Sequence, residues 1–198
     1  MKFSALPSAI LLAFVLVACT QKTPAKNPDP NHTHADFAVW IDGTQMDFSG
    51  SEFMSGSSNA DDPDHQKHDE YLHLHDENGS VIHKHKSGFT LADFFATLKV
   101  GFTEKCFSSG VPMQDGEVCS ENPFRLFVNG TEQPFDDLRY VFSDEDKILI
   151  TNTTDDLQVR NELQKITDDA CLYSKTCPER GEPPAENCIA DPEVPCTQ

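Results

Sequence analysis

The chain contains no C-x-x-C pair, no G-x-S-x-G elbow, no Walker-type phosphate loop and no G-x-G-x-x-G turn. Each absence removes a class of chemistry: dithiol redox catalysis, α/β-hydrolase acyl transfer, nucleotide hydrolysis and dinucleotide binding. Positive charge is also scarce, with 15 Lys and Arg against 33 Asp and Glu and a net charge of −18. No basic face is therefore expected for nucleic acid or anionic lipid headgroups. Tryptophan occurs once and tyrosine three times, but 14 Phe supply the bulk of a core. At 198 residues the length suits one domain with appendages. What is present in excess is histidine and cysteine.

The longest apolar run, Ala9 to Ala18, is too short to span a bilayer comfortably and has the length of a signal-peptide core. It ends in Leu16-Val17-Ala18-Cys19, which resembles a bacterial lipobox with Cys19 as the lipidated residue. Thr20 to Asn31 is Pro-rich and reads as a stiff tether. The expected layout is a lipoprotein signal peptide over 1–18, a tether over 19–31, a His-rich domain over 32–152, an amphipathic helix over 153–170 and a Cys-rich tail over 171–198. The working part then lies in the cell envelope, lipid-anchored on the extracytoplasmic side. Cysteine usage agrees with export. Beyond Cys19 there are six, Cys106, Cys119, Cys171, Cys177, Cys188 and Cys196, an even number that implies disulfides. Their spacing groups Cys106 with Cys119, and the last four among themselves.

Local patterning predicts an α+β fold: a small mixed sheet of hairpins with one or two packed helices and a disulfide-stapled C-terminal tail. Ala35 to Ile41 alternates as a strand, Asp42-Gly43 turns it, and Thr44 to Phe48 returns. Ser49 to Glu70 is polar loop. Thr90 and Asp93 form a capping box that opens a helix to about Lys99, burying Leu91, Phe94, Phe95 and Leu98. Phe124 to Val128 is a strand closed by Asn129-Gly130, a strong hairpin signal. Leu138 to Phe142 and Lys147 to Thr151 are further strands. Asp155 to about Ala170 carries Val159, Leu163, Ile166 and Ala170 at helical spacing. The tail from Cys171 has too few apolar groups for a core of its own.

Six of the eight histidines fall in three H-x-H pairs: His32/His34, His73/His75 and His83/His85. Residues two apart on a strand share a face, so each pair presents two imidazoles together. If Asp76 opposes Ser80 around a short loop, with Gly79 left-handed, His73 faces His83 and Tyr71 faces His85. Leu72, Leu74 and Ile82 then line the core side, and that register alone separates apolar side chains from imidazole. His32, His34 and Asp36 segregate in the same way from Thr33, Ala35 and Phe37. Six imidazoles on a solvent-facing sheet surface suit zinc, copper or nickel. The expected site is one zinc or copper ion held by three or four of His32, His34, His73, His75, His83 and His85, with Asp36 as a ligand or supporting a ligand. His65 and His68 sit in an acidic loop whose plain reading is a solvated surface.

The segments Asn31-His32-Thr33-His34-Ala35-Asp36-Phe37, Tyr71-Leu72-His73-Leu74-His75-Asp76, Val81-Ile82-His83-Lys84-His85 and Thr90-Leu91-Ala92-Asp93-Phe94-Phe95 form a pattern. With Cys171-Leu172-Tyr173-Ser174-Lys175-Thr176-Cys177-Pro178, it resembles a family of uncharacterised exported prokaryotic lipoproteins, some labelled protein-disulfide isomerase-like. The resemblance implies export and little chemistry. The hairpins, helix and closing 144–150 strand look like a β-grasp arrangement. Three functional classes follow: a tethered transition-metal binder, a thiol–disulfide isomerase-like envelope protein, and a structural or adhesive envelope protein without metal. Three His ligands and a water would also make a catalytic metal, but no substrate pocket or general base beyond Asp36 is visible in the sequence.

Overall fold

The computed structural model describes residues 25–54, 71–110 and 116–182. The expected lipobox with Cys19, His65, His68, Cys188 and Cys196 lie outside these residues. Among the described residues, ten strands form two sheets: β1 Thr33–Ile41, β2 Thr44–Gln45, β3 Leu72–His73, β4 Val81–Lys84, β5 Val100–Phe102, β6 Cys106–Ser109, β7 Gly116–Cys119, β8 Arg125–Val128, β9 Thr131–Gln133 and β10 Lys147–Thr151. Three α-helices accompany them: α1 Leu91–Thr97, α2 Asp156–Leu163 and α3 Ala170–Tyr173. The larger sheet runs β3-β4-β1-β10-β8-β9, with β2 added to β1, and the smaller one runs β5-β6-β7. The mixed α+β class is as expected. Its centre is the parallel pair β1 and β10, flanked by antiparallel strands. Among the described residues no helix is long and apolar enough to cross a membrane.

Strand parity divides the core. The odd residues of β1, Ala35, Phe37, Val39 and Ile41, face α1 and its phenylalanines. Phe37 meets Phe94 edge-on at 5.1 Å between ring centroids and Phe48 at 5.4 Å. Thr90 caps α1 through its side chain while Asp93 reaches back to the Thr90 N–H, the reciprocal pair anticipated from sequence. The even residues face the other way. Ala38 and Trp40 pack there with Leu149, Phe127, Val159 and Ile166, so α2 covers that half of the second face.

Four expectations give way to specific competing interactions. The hairpin between β3 and β4 turns on Asp76 and Glu77, at φ 56° and 57°, with the Asn78 N–H donating to the His75 carbonyl. Gly79 is not left-handed. It is glycine because a Cβ there would stand 2.3 Å from the Phe48 carbonyl carbon. Leu138 to Phe142 is not a strand: a 3-10 turn over Asp136–Leu138 leads into a loop. Its carbonyls are used elsewhere, Tyr140 O accepting from the Leu91 N–H and Phe142 O from Lys84 Nζ. The long helix over 155–170 stops at Leu163. A continuous helix would give the Asp169 and Ala170 N–H groups to carbonyls four residues back, but both donate instead to the Asp36 carboxylate. The return strand after Asp42-Gly43 is only two residues long.

Two disulfides occur among the described residues, Cys106–Cys119 and Cys171–Cys177. The first cross-links facing residues of β6 and β7. The second closes a short loop around α3, and α3 lies against β1. The start of the tail is thus not a separate stapled appendage. It covers the half of the sheet face that α2 leaves open.

Candidate metal centre

The strand order β3-β4-β1 brings the three H-x-H pairs onto one face. His73 lies opposite His83, as the expected register requires, and His83 lies opposite His34. His85 accompanies Tyr71, whose carbonyl accepts the His85 N–H at 2.8 Å. The six rings form a continuous stack. His32 meets His34 at 4.5 Å and His85 at 4.0 Å, His34 meets His83 at 4.7 Å, and His83 meets His75 at 3.8 Å. His73 meets His85 at 5.0 Å.

This face is not open to solvent. His34 and His83 are fully buried, and His73 and His85 nearly so. The cover is α3. Tyr173 sets its ring edge-on to His83 at 4.7 Å, and its hydroxyl accepts from Asn78 Nδ2. Neutral imidazole tolerates such burial; an imidazolium would require desolvation of its charge.

The hydrogen bonds fix which nitrogen each inner ring turns toward the cluster. Asp144 is an acceptor, taking Asn27 Nδ2 and the His34 N–H, and the Ser174 hydroxyl donates to it at 2.6 Å. Ser174 Oγ, its proton so used, accepts from His34 Nδ1 at 2.8 Å. His34 is therefore the Nδ1–H tautomer, with its lone pair on Nε2. A second relay sets His83. Asp76 Oδ2 accepts from His75 Nδ1 at 2.8 Å, so His75 Nε2 is an acceptor, and His83 Nδ1 donates to it at 3.1 Å. His83 then also carries its lone pair on Nε2. A carboxylate or hydroxyl behind a ligating imidazole is the usual way to fix its tautomer and raise its basicity.

His32, His34 and His83 each offer one nitrogen, and all three lie within 4.8 Å of one another. His32 Nε2 and His34 Nε2 are 3.1 Å apart. Two nitrogens bonded to one tetrahedral zinc ion at about 2.0–2.1 Å stand about 3.3 Å apart, so the spacing suits a shared ion once the proton that His32 Nε2 donates to His34 Nε2 has left or moved to Nδ1. Such a group can hold a metal ion, and three imidazoles leave a fourth position for water or another ligand. The other close group, Cys106, Glu117 and Cys119, offers no thiolate because its sulfurs are bonded to each other.

Asp36 is engaged with the start of α3. It shares the face of His34 but is absent from the three-imidazole group. Its oxygens accept from Thr167 Oγ1 at 2.5 Å, Asp169 N at 2.9 Å and Ala170 N at 3.1 Å, so it anchors the start of α3. Burial pushes its pKa above the ordinary 3.8, against the lowering effect of those hydrogen bonds. His73, His75 and His85 belong to the ring stack but not to the tight trio; His75 stands behind His83 as its hydrogen-bond acceptor. Asp144, Ser174 and Tyr173 were not anticipated from the sequence. The available signal was the pair Tyr173-Ser174 inside the short Cys171–Cys177 span, in a tail otherwise poor in apolar groups.

No family model, curated protein or solved structure matches the chain.

Proposed function

We propose that this chain binds one transition-metal ion, zinc or copper, through Nε2 of His34, Nε2 of His83 and a nitrogen of His32. The observation that carries the reading is the convergence of three imidazole nitrogens within 4.8 Å, two of them on buried rings whose other nitrogen is already engaged. An all-imidazole donor set suits zinc or copper and has little affinity preference for calcium or magnesium. The apolar Tyr173 edge on one side and the hydrogen-bonded second nitrogens behind the rings are the supports such a centre requires. The setting we propose is outside the cytoplasmic membrane, tethered through lipid on Cys19, where the protein stores or delivers its ion. The resemblance of its motifs to those of exported prokaryotic lipoproteins supports that setting.

Metal analysis of protein purified without a His-affinity column tests the binding. The expected result is stoichiometric zinc or copper; metal-free protein that also takes up neither ion on addition would refute the reading. Anchorage is tested separately. Cys19→Ala should move the protein from the membrane fraction to the soluble one, and a variant that stays with the membrane would contradict lipidation.

A further inference from the structure

We infer that the Cys171–Cys177 disulfide is a thiol-exchange site that controls the metal centre, with a dithiol reductant as its reaction partner. This rests on the metal reading above and adds its regulation. The bridge spans six residues, and both side chains that cover the histidines, Tyr173 and Ser174, lie inside that loop. Ser174 is the group that fixes the His34 tautomer, and Tyr173 is the ring against His83. The two ends of this loop are held differently. Asp36 pins the entering end through Thr167, Asp169 and Ala170. The leaving end is held by the bridge, by the Thr176 N–H on the Cys171 carbonyl and, beyond Cys177, by the exposed ion pair of Arg180 with Asp169 at 2.8 Å. A four-residue helix has no stability of its own, so without the cross-link the loop keeps Tyr173 and Ser174 in place through single hydrogen bonds and the exposed Arg180–Asp169 pair, each individually weak.

The chemistry is accessible. Cys171 is half-buried while Cys177 is buried, so an incoming thiolate meets the Cys171 sulfur first. It forms a mixed disulfide there and expels the Cys177 thiolate, which takes a proton. The second thiol of the reductant then attacks the mixed disulfide, releasing Cys171 and leaving the reductant as a cyclic disulfide. Two electrons pass to the protein bridge, and both protein sulfurs end as thiols or thiolates. Arg180 Nη1 lies 3.4 Å from Cys171 Sγ. A guanidinium there favours the thiolate of the reduced form, and stabilising the reduced form makes a bridge easier to reduce. The other disulfide joins β6 to β7, which carry none of the histidines or their hydrogen-bond partners. It is the internal control.

The test is an equilibrium competition for zinc, and separately for copper, between the full chain and a chromophoric chelator. Wild type, Cys171→Ser/Cys177→Ser and Cys106→Ser/Cys119→Ser are compared. Loss of the support behind a ligating histidine weakens metal binding by about 10-fold or more, so that loss is expected for the first double variant and no comparable loss for the second. Equal affinity in the two double variants would overturn the exchange site while leaving the metal centre standing. A wild-type chain that takes up neither ion would overturn the metal reading, and the exchange site with it. A second measurement needs no variant. Wild-type protein is equilibrated in glutathione redox buffers with and without zinc, and each bridge is counted by alkylation and mass mapping. Linkage is reciprocal, so zinc should shift the Cys171–Cys177 midpoint toward more reducing buffers by the same factor of about 10 and leave Cys106–Cys119 in place. No shift, or a shift in the opposite direction because the freed thiolates bind zinc better than the closed centre does, would refute the coupling.

Discussion

Replacing Asp36 with Ala should cost about 2 kcal/mol of stability in the metal-free protein at pH 7, and the loss arises at a contact made more than 130 residues away in sequence. Three donors converge on this carboxylate: the Thr167 hydroxyl and the Asp169 and Ala170 N–H groups. In the variant the hydroxyl and the part-buried Asp169 N–H find water, but the Ala170 N–H bond is buried. An orphaned buried donor costs about 1–3 kcal/mol, and the two lesser losses add about 1 kcal/mol between them. Against this, the variant removes a carboxylate that is 1 % exposed and whose ionised form burial disfavours. The net is about 2 kcal/mol, a large share of a total near 5–15 kcal/mol. The pH dependence has a definite sign. Because burial raises the folded pKa above 3.8, the folded protein binds a proton at Asp36 before the unfolded chain does. Wild type therefore gains stability relative to the variant as pH falls from the raised folded value toward 3.8, and the cost of the substitution grows through that window. Urea denaturation at pH 7 and at about pH 4.5 measures both quantities. A cost below about 0.5 kcal/mol at pH 7, or one that shrinks in acid, would refute the anchoring role.

Three further outcomes are expected. Gly79→Ala should destabilise by about 1–3 kcal/mol or more, because its Cβ would meet backbone atoms of Phe48 and Ser49 that have no room to yield; thermal unfolding within 1 °C of wild type, a shift worth only a few tenths of a kcal/mol, would contradict that approach. Cys106→Ala/Cys119→Ala removes a bridge with a sequence separation of 13 and should cost about 3 kcal/mol in chemical denaturation. Metal affinity should fall steeply below about pH 6.5, since protonated imidazole does not ligate; an affinity independent of pH between 5 and 7 would point to carboxylate rather than imidazole ligands.

The parity of the histidines was legible because period-two alternation is a backbone property: Leu72, Leu74 and Ile82 could be core-facing in only one register, and that register places His73 beside His83. The capping box of α1 and the Asn129-Gly130 turn were legible for the same reason, each being decided within a few residues. What covers the imidazole face was not. That depends on Asp36 taking two N–H groups from residues 133 and 134 positions later, and local periodicity in Val159, Leu163, Ile166 and Ala170 argued for an unbroken helix instead. Long-range capture of a helix terminus leaves no local pattern. The same applies to Leu138–Phe142, where β-prone residues serve the cap of α1 and Lys84 rather than a ladder. The sheet face was therefore expected to be open to solvent, whereas His34, His73, His83 and His85 are buried on it.

In the proposed centre His34 and His83, with His32, hold the ion, while His73 and His85 support from the side. Calorimetric zinc titration of the metal-free chain, carried out on wild type, His34→Ala/His83→Ala and His73→Ala/His85→Ala, separates the two sets directly. Circular dichroism of each variant confirms that the fold persists. One ion per chain is expected for wild type, none for the His34/His83 variant, and one at reduced affinity for the His73/His85 variant. Unchanged binding in the His34/His83 variant, or its complete loss only in the His73/His85 variant, would contradict the assignment of the centre.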